Sequence, residues 1–367
     1  MKRDISDMLD TYVDEGIRLD TITPLSSSRI KELTMSKIQK TQTHKRHISG
    51  RILIVAAIVA ALSATVAAAN YLGVGELFRS FFAKNDNTIT SGQIEVMDRI
   101  GHSFEAGVIS NGTIMTPVAA LADENVYYLR LQIKAPESTI LPDLEETSGS
   151  YQLSGPATED RMTLEAEKNA YKHFGYETTL QWLPDNNLSD NMKEVVVIFT
   201  AQPESDMKFN DNVPKVLSIR GLWLQTPDKG YTQMLNGEFT FDIGTNYKSE
   251  TMTLDCNGAT YYDEIDGYTN LLENLELSPL SCSYQFKSTV PEDSWLSPSV
   301  GRIQIVMKDG TVFWDSGENT DPAPYEVSLL ESPTVEYESY SLFDTPLDLS
   351  QVDYIKYGDT ILSTEVQ

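Results

Sequence analysis

Cysteine, histidine and positive charge are all scarce in this 367-residue chain, and each scarcity narrows what the chain does. Two cysteines, Cys256 and Cys282, cannot build the many-bridged framework of a small secreted domain. A disulfide between them in an oxidising compartment and two small buried residues on strands stand as alternatives. The four histidines (His44, His47, His102, His173) are too few and too scattered for a histidine-based metal site. Lys and Arg total 28 against 54 Asp and Glu, a net charge of −26. Such an acidic surface repels nucleic acid and anionic headgroups, which argues against nucleic-acid binding by the bulk of the chain.

Catalytic motifs are missing too. Hydrolysis needs a nucleophile, a base and an orienting group in one place. No GxSxG, HExxH, CxxC or P-loop pattern occurs, and His102 (RIGHSF) and His173 (YKHFGY) sit in no recognisable motif. Carboxylate pairs are uninformative in a chain with 54 acids. The oxygen-rich stretches DNNLSDN, from Asp185, and DEIDG, from Asp263, lack the twelve-residue spacing of a calcium loop and read as turns. No catalytic residue, cofactor or metal site is expected. The eighteen tyrosines suit strand packing better than a sugar- or peptide-binding face.

What the chain does have is one long apolar run. Ile52 to Leu72 reads ILIVAAIVAALSATVAAANYL, without a charge. A helix of that length spans about 30 Å, a bilayer's hydrocarbon thickness, and satisfies its own backbone there. Ten Lys/Arg and seven Asp/Glu occur through Arg51, leaving 18 against 47 beyond it, a net of −29. Basic residues crowd the approach to the run, Lys45, Arg46 and Arg51 nearest to it. The positive-inside rule then places the N-terminus in the cytoplasm and the large acidic part outside the cell membrane. Ala67-Ala68-Ala69 resembles a signal-peptidase site, but the fifty preceding residues point to an uncleaved anchor. Just beyond the run, Phe78, Phe81 and Phe82 suggest an interfacial helix flanking the membrane.

The tail before the run carries Ile5, Leu9 and Tyr12 at helical spacing, then Ile30 and Leu33 on a second short helical segment. Beyond position 93 the period becomes two. VYYLRLQIK alternates Tyr127, Leu129, Leu131 and Ile133 against Tyr128, Arg130, Gln132 and Lys134, the pattern of an antiparallel strand. Further strands are expected at Thr113 to Leu121, Thr178 to Trp182, Glu194 to Thr200 and Val216 to Gln225, then in GEFTFDI, SETMTLDC, LENLELSPLSCSYQF, RIQIVMKDGTVFWD and the C-terminal VDYIKYGD. The fold class is therefore mainly β: a helical cytoplasmic tail (1–51), a transmembrane helix (52–72), a juxtamembrane helix or linker (73–92), and two antiparallel, sandwich-like extracellular domains (93–230 and 231–367). No fixed-period repeat is visible, although two similar sandwiches in tandem fit the spacing.

Six segments carry a resemblance: SRIKELTMSKI before the basic flank, GVGELFRSFF after the run, VISNGTIMTPVAALADENVYYLRLQIKAPE, LENLELSPLSCSYQF, KDGT, and TPLDLSQVDYIKYGD. With this order of parts the chain resembles the single-pass membrane proteins of Gram-positive bacteria, common in Clostridia, that are often labelled anti-sigma-factor-like. Their ectodomain is a domain of unknown function. The resemblance implies a non-enzymatic regulator whose tail holds a sigma factor and whose ectodomain senses an envelope ligand. Zinc-binding anti-sigma domains carry a CxxC that this tail lacks, so its binding face would be apolar: Ile5, Leu9, Tyr12, Ile30 and Leu33. The alternative is a membrane-anchored surface or adhesion module with no signalling role. A wall-acting hydrolase ranks below both.

Overall fold

Strand β4 (Val126–Lys134) is the alternating stretch VYYLRLQIK, and the first sandwich is laid down around it. In this computed structural model the described residues are 73–83, 88–104, 106–144, 149–166, 174–184, 191–202, 205, 208–209, 214–243, 250–262, 267–289, 301–317, 326–329 and 334–363. One face of β4 puts Tyr127, Leu129, Leu131 and Ile133 into a core shared with Phe199, Leu217, Ile219, Phe239 and Phe241. Each such side chain, fully buried, contributes about 2 kcal/mol of transfer free energy.

The sheet holding β4 also contains β1 (Gly101–Ser103), β2 (Val108–Ser110), β3 (Thr113–Ala122), β7 (Tyr176–Trp182) and β8 (Met192–Ala201). Its order is β1-β3-β4-β8-β7, with β2 also on β3. Facing it lie β5 (Ser150–Gln152), β6 (Thr163–Ala166), β9 (Lys215–Thr226) and β10 (Gly230–Asp242), where β9 pairs with the other three. Pro117 sits inside β3 without breaking it. It falls between the stretches of β3 that pair β1 and β2, beside a bulge toward β4, where no ladder donor is required.

The second sandwich repeats this plan. One sheet has β11 (Met252–Leu254), β12 (Thr260–Tyr262), β13 (Thr269–Leu277), β14 (Ser281–Thr289), β17 (Glu326–Leu329) and β18 (Thr334–Leu342), ordered β11-β13-β14-β18-β17 with β12 also on β13. The other has β15 (Ile303–Met307), β16 (Val312–Asp315), β19 (Val352–Tyr357) and β20 (Thr360–Ser363), ordered β16-β15-β19-β20. Strand for strand, β1/β2-β3-β4-β8-β7 matches β11/β12-β13-β14-β18-β17, and β9-β10 matches β19-β20. The chain is an internal duplication at the level of topology. In KDGT, Gly310 takes φ 84° and its N–H donates to the Met307 carbonyl, while Asp309 accepts from the Thr311 N–H. The turn between β15 and β16 thus needs three residues rather than the two that the Asp-Gly pair suggests.

Two expectations are corrected. The domain boundary does not fall between 230 and 231: that point lies at the start of β10 in the β9–β10 hairpin, with Gly230 at φ 64°, and Phe239, Phe241 and Ile243 fill the first core. A Pro-Asp-Lys-Gly turn has the composition of a linker, which is why it misleads. The first sandwich ends near Ile243 and the second begins near Met252. The cysteines are not bridged. Both are free and buried, Cys282 on β14 and Cys256 just past β11. In the ladder Cys282 faces Leu277, which faces Met252, so Cys256 lies two strands and four residues away. That separation is more than 10 Å by strand geometry, far beyond disulfide reach.

Two helices cover the first sandwich's outer face: α1 (Val74–Phe82) and α2 (Ser91–Ile100). Thr90 and Gln93 form a capping box at the start of α2. Helix α1 has no capping side chain of its own; Asp98 on α2 accepts from the Gly75 N–H at 2.8 Å instead. A Cβ at Gly75 would lie 2.5 Å from the Ile94 carbonyl oxygen, so glycine permits this close crossing. From beneath, Arg130 donates to the Leu77 carbonyl and to Glu194, which Gln132 also reaches at 2.9 Å.

The expected interfacial helix is therefore corrected as well. Phe78 is 0% exposed, and Phe81 and Phe82 pack edge-on against Tyr128 at 5.5 Å. The β3-β4-β8 sheet offers an apolar outer face at Val118, Leu121, Val126, Tyr128 and Val196, and the phenylalanines bury there rather than in headgroups. Among the described residues no helix is long and apolar enough to cross a membrane; the run 52–72 and the tail 1–51 lie outside them. Phe78→Ala is expected to destabilise the fold by about 3–5 kcal/mol in urea unfolding, the cost of emptying an aromatic core site. A residue resting in lipid headgroups would show almost none.

Candidate functional site

Two hairpin turns, equivalent in the duplicated plan, meet head to head. The β3–β4 turn is Asp123-Glu124-Asn125, and the β13–β14 turn is Ser278-Pro279-Leu280. Asp123 is 1% exposed, a charged group almost never buried so fully without partners. Its Oδ1 accepts from the Asn125 and Val126 N–H groups at 2.8 and 2.9 Å, which closes its own turn. Its Oδ2 accepts from the Ser278 hydroxyl and, at 2.6 Å, from the Ser281 hydroxyl of the second sandwich. The carboxylate is thus satisfied by four donors, two from each side.

Around it the hydroxyls form a network. Asn125 Nδ2 donates to Ser281 Oγ at 2.9 Å and Ser283 Oγ at 2.7 Å, and Ser283 donates to Glu124 at 3.0 Å. Ser278 Oγ in turn accepts from the Leu280 and Ser281 N–H groups, so one hydroxyl holds the turn and the joint together. Tyr340 donates across to the Ala201 carbonyl at 2.6 Å. Within the second sandwich, the Leu347 N–H donates to the Pro279 carbonyl at 2.8 Å and steadies that turn. A small cleft lined by Asn125, Ala201, Gln202, Lys208, Ser283 and Tyr340, among others, marks the open edge.

Burial raises the Asp123 carboxyl pKa, against the pull of its four donors. Burial likewise pushes the Tyr340 hydroxyl up to about 12 and keeps it a donor. A carboxyl whose pKa is raised on folding binds its proton more tightly in the folded state, so acidification favours this joint rather than opening it.

Four of the segments that carry the resemblance converge here. GVGELFRSFF is α1, ADENV makes the first turn, SPLSCS the second, and TPLDLS brings Pro346, whose carbonyl accepts from Gln93 of α2 at 2.9 Å. Sequence reasoning took these stretches as structural marks and missed that they touch. The visible signal was a polar Asp-Glu-Asn turn beside strands apolar on both faces. Of the expected site residues, Phe78, Phe81 and Phe82 lie near the joint in the helix seat, and Cys282 lies in the second core. Cys256 is in that second core too. Ile5, Leu9, Tyr12, Ile30, Leu33, Lys45, Arg46 and Arg51 lie outside the described residues. Among the described residues no three His, Cys, Asp or Glu side chains gather as metal ligands.

No family model and no curated protein matches the chain. A crystal structure described as the conserved domain protein from Bacillus anthracis is similar at a TM-score of 0.45 and 14% identity, over 75% of this chain and 82% of that one.

Asp123→Ala orphans two hydroxyls and two N–H groups in a buried joint, at about 1–3 kcal/mol for each group left unpaired. Urea unfolding of the variant is expected to show a loss of at least about 3 kcal/mol, with Ser278→Ala losing less.

Proposed function

We propose that the chain is a non-enzymatic, single-pass membrane regulator. Its N-terminal tail holds a sigma factor in the cytoplasm, and its paired β-sandwiches stand outside the membrane to sense an envelope ligand. The observation that carries this reading is how closely in sequence the packed fold follows the apolar run. The run ends at Leu72, α1 starts at Val74, and only Gly73 lies between them. Phe78, one turn later, is fully buried against the first sandwich. An anchor that merely tethers an adhesin works through a flexible linker of any length. Gly73, at φ 79° and ψ 158°, leaves the helical path, so run and packed helix would meet at a single pivot residue, too short a link to absorb a shift of the β fold before it reaches the bilayer.

The charge division supports the same orientation, with a tail of net +3 on the basic side and −29 beyond the run. The tail's Ile5, Leu9, Tyr12, Ile30 and Leu33 would supply an apolar face for a helix-in-groove contact with the sigma factor.

Inserting a six-residue Gly-Ser linker between Leu72 and Gly73 gives an average slack of about 13 Å without touching either packed part. Transcripts that depend on the retained sigma factor are expected to lose their response to envelope stress, while the protein stays in the membrane at normal abundance. An unchanged transcriptional response, or none in the wild type, would favour the surface-module reading instead.

A further inference from the structure

The turn Ser278-Pro279-Leu280-Ser281 does two jobs at once. Its two hydroxyls hold Asp123, and its Leu280, 1% exposed, belongs to the apolar cluster that seats α1 and α2. Leu342, at the end of β18, is packed against the same cluster. Helix α2 reaches the second sandwich again through Gln93 to the Pro346 carbonyl and through Arg99, which pairs with Glu250 at 2.8 and 2.9 Å. The helix pair therefore rests on both sandwiches, although its larger bed is the first.

We infer that the Asp123 joint is a two-state latch, and that its opening unseats α1 by withdrawing Leu280 from beneath the helix pair. This rests on the regulatory reading for its biological purpose, but its physical content stands apart from that reading. A hydroxyl-to-carboxylate contact loses most of its strength within about an ångström of displacement, whereas an apolar interface slides and keeps much of its contact. Here Asp123 and Asn125 make four short-range hydrogen bonds to three serines, two hydroxyl-to-carboxylate and two amide-to-hydroxyl. They are made together or lost together, since all four depend on one alignment of two turns. The outer contacts are weaker by their setting. The Arg99–Glu250 pair is largely exposed, and exposed pairs are worth little. Tyr340 to the Ala201 carbonyl, Ser283 to Glu124 and Gln93 to the Pro346 carbonyl also hold the joint or the helices, but none of them involves Leu280 itself.

The direction of the effect is specific. Helix α1 lacks a cap of its own and depends on Asp98 of α2 for its Gly75 N–H, so loosening α2 removes the cap of α1. The first turn of α1 is the part nearest the apolar run. A ligand that pries the sandwiches apart would thus be reported at Val74–Leu77, and one that binds elsewhere would not.

Hydrogen exchange followed by mass spectrometry on the full chain in lipid nanodiscs tests this. In Asp123→Ala, exchange is expected to rise at least tenfold at residues 74–82 and 91–100 as well as at the two turns, with β15, β19 and β20 unchanged. Ser278→Ala is the milder variant if Asp123→Ala folds poorly, and it should move the same segments by a smaller factor. Leu280→Ala should free the helices while the 123–126 turn stays protected. The latch is overturned if the turns exchange faster while α1 and α2 keep wild-type protection, or if neither changes in a folded variant. Sigma-factor retention on the same nanodiscs is read separately: none in the wild type would sink the regulatory reading and leave the latch standing.

Discussion

A buried carboxylate with every lone pair directed at a donor is the constraint on which this molecule depends. Asp123 could not lie at 1% exposure in this joint unless something across it replaced the water around its carboxyl group. The replacement is two serine hydroxyls from the other sandwich. This makes the relative placement of the sandwiches specific rather than merely favourable. A wholly apolar joint tolerates several alignments, while a buried acceptor tolerates only those that keep its donors. That one alignment also sets the serine turn and brings its Leu280 into the apolar cluster beneath the helices.

The matching topology of the two sandwiches puts equivalent corners at the joint, while their outer faces differ. The same corner of each sandwich, where β4 begins in one and β14 in the other, supplies the contact. The outer faces behind these corners have diverged. In the first sandwich that face is apolar and lies under α1 and α2. In the second it carries Lys287 between Glu273 and Glu336, and Gln285 against Glu338, a polar lattice that needs no cover. One copy became the attachment for the helices that follow the apolar run, and the other stayed open to solvent.

Much of the β architecture was legible because period-two alternation survives wherever one face is buried. The alternating VYYLRLQIK became a strand where expected, as did EVVVIFT and IQIVM, legible from their β-branched content. Three features were not legible, each for a physical reason. Turns and linkers share a composition, so the β9–β10 turn passed for a domain boundary. The phenylalanines of α1 look the same whether they meet lipid or a sheet, and only the second apolar face of β3, β4 and β8 decides it. The joint itself pairs residues more than 150 positions apart, and no local pattern in ADENV or SPLSCS names its partner. What the sequence did offer was the unusual run of ten buried positions in β3, a strand too apolar to have a wet side.

The central claim is that Asp123 holds two sandwiches in one alignment. Pulsed electron paramagnetic resonance reads this directly, using spin labels on cysteines introduced at Thr232 on β10 and Asp359 in the β19–β20 turn, both exposed positions. Cys256 and Cys282 are buried and do not compete for the label. The account predicts one narrow distance distribution in the full chain, and a second, separate population once Asp123 is replaced by Ala. An identical narrow distribution in both proteins would contradict it.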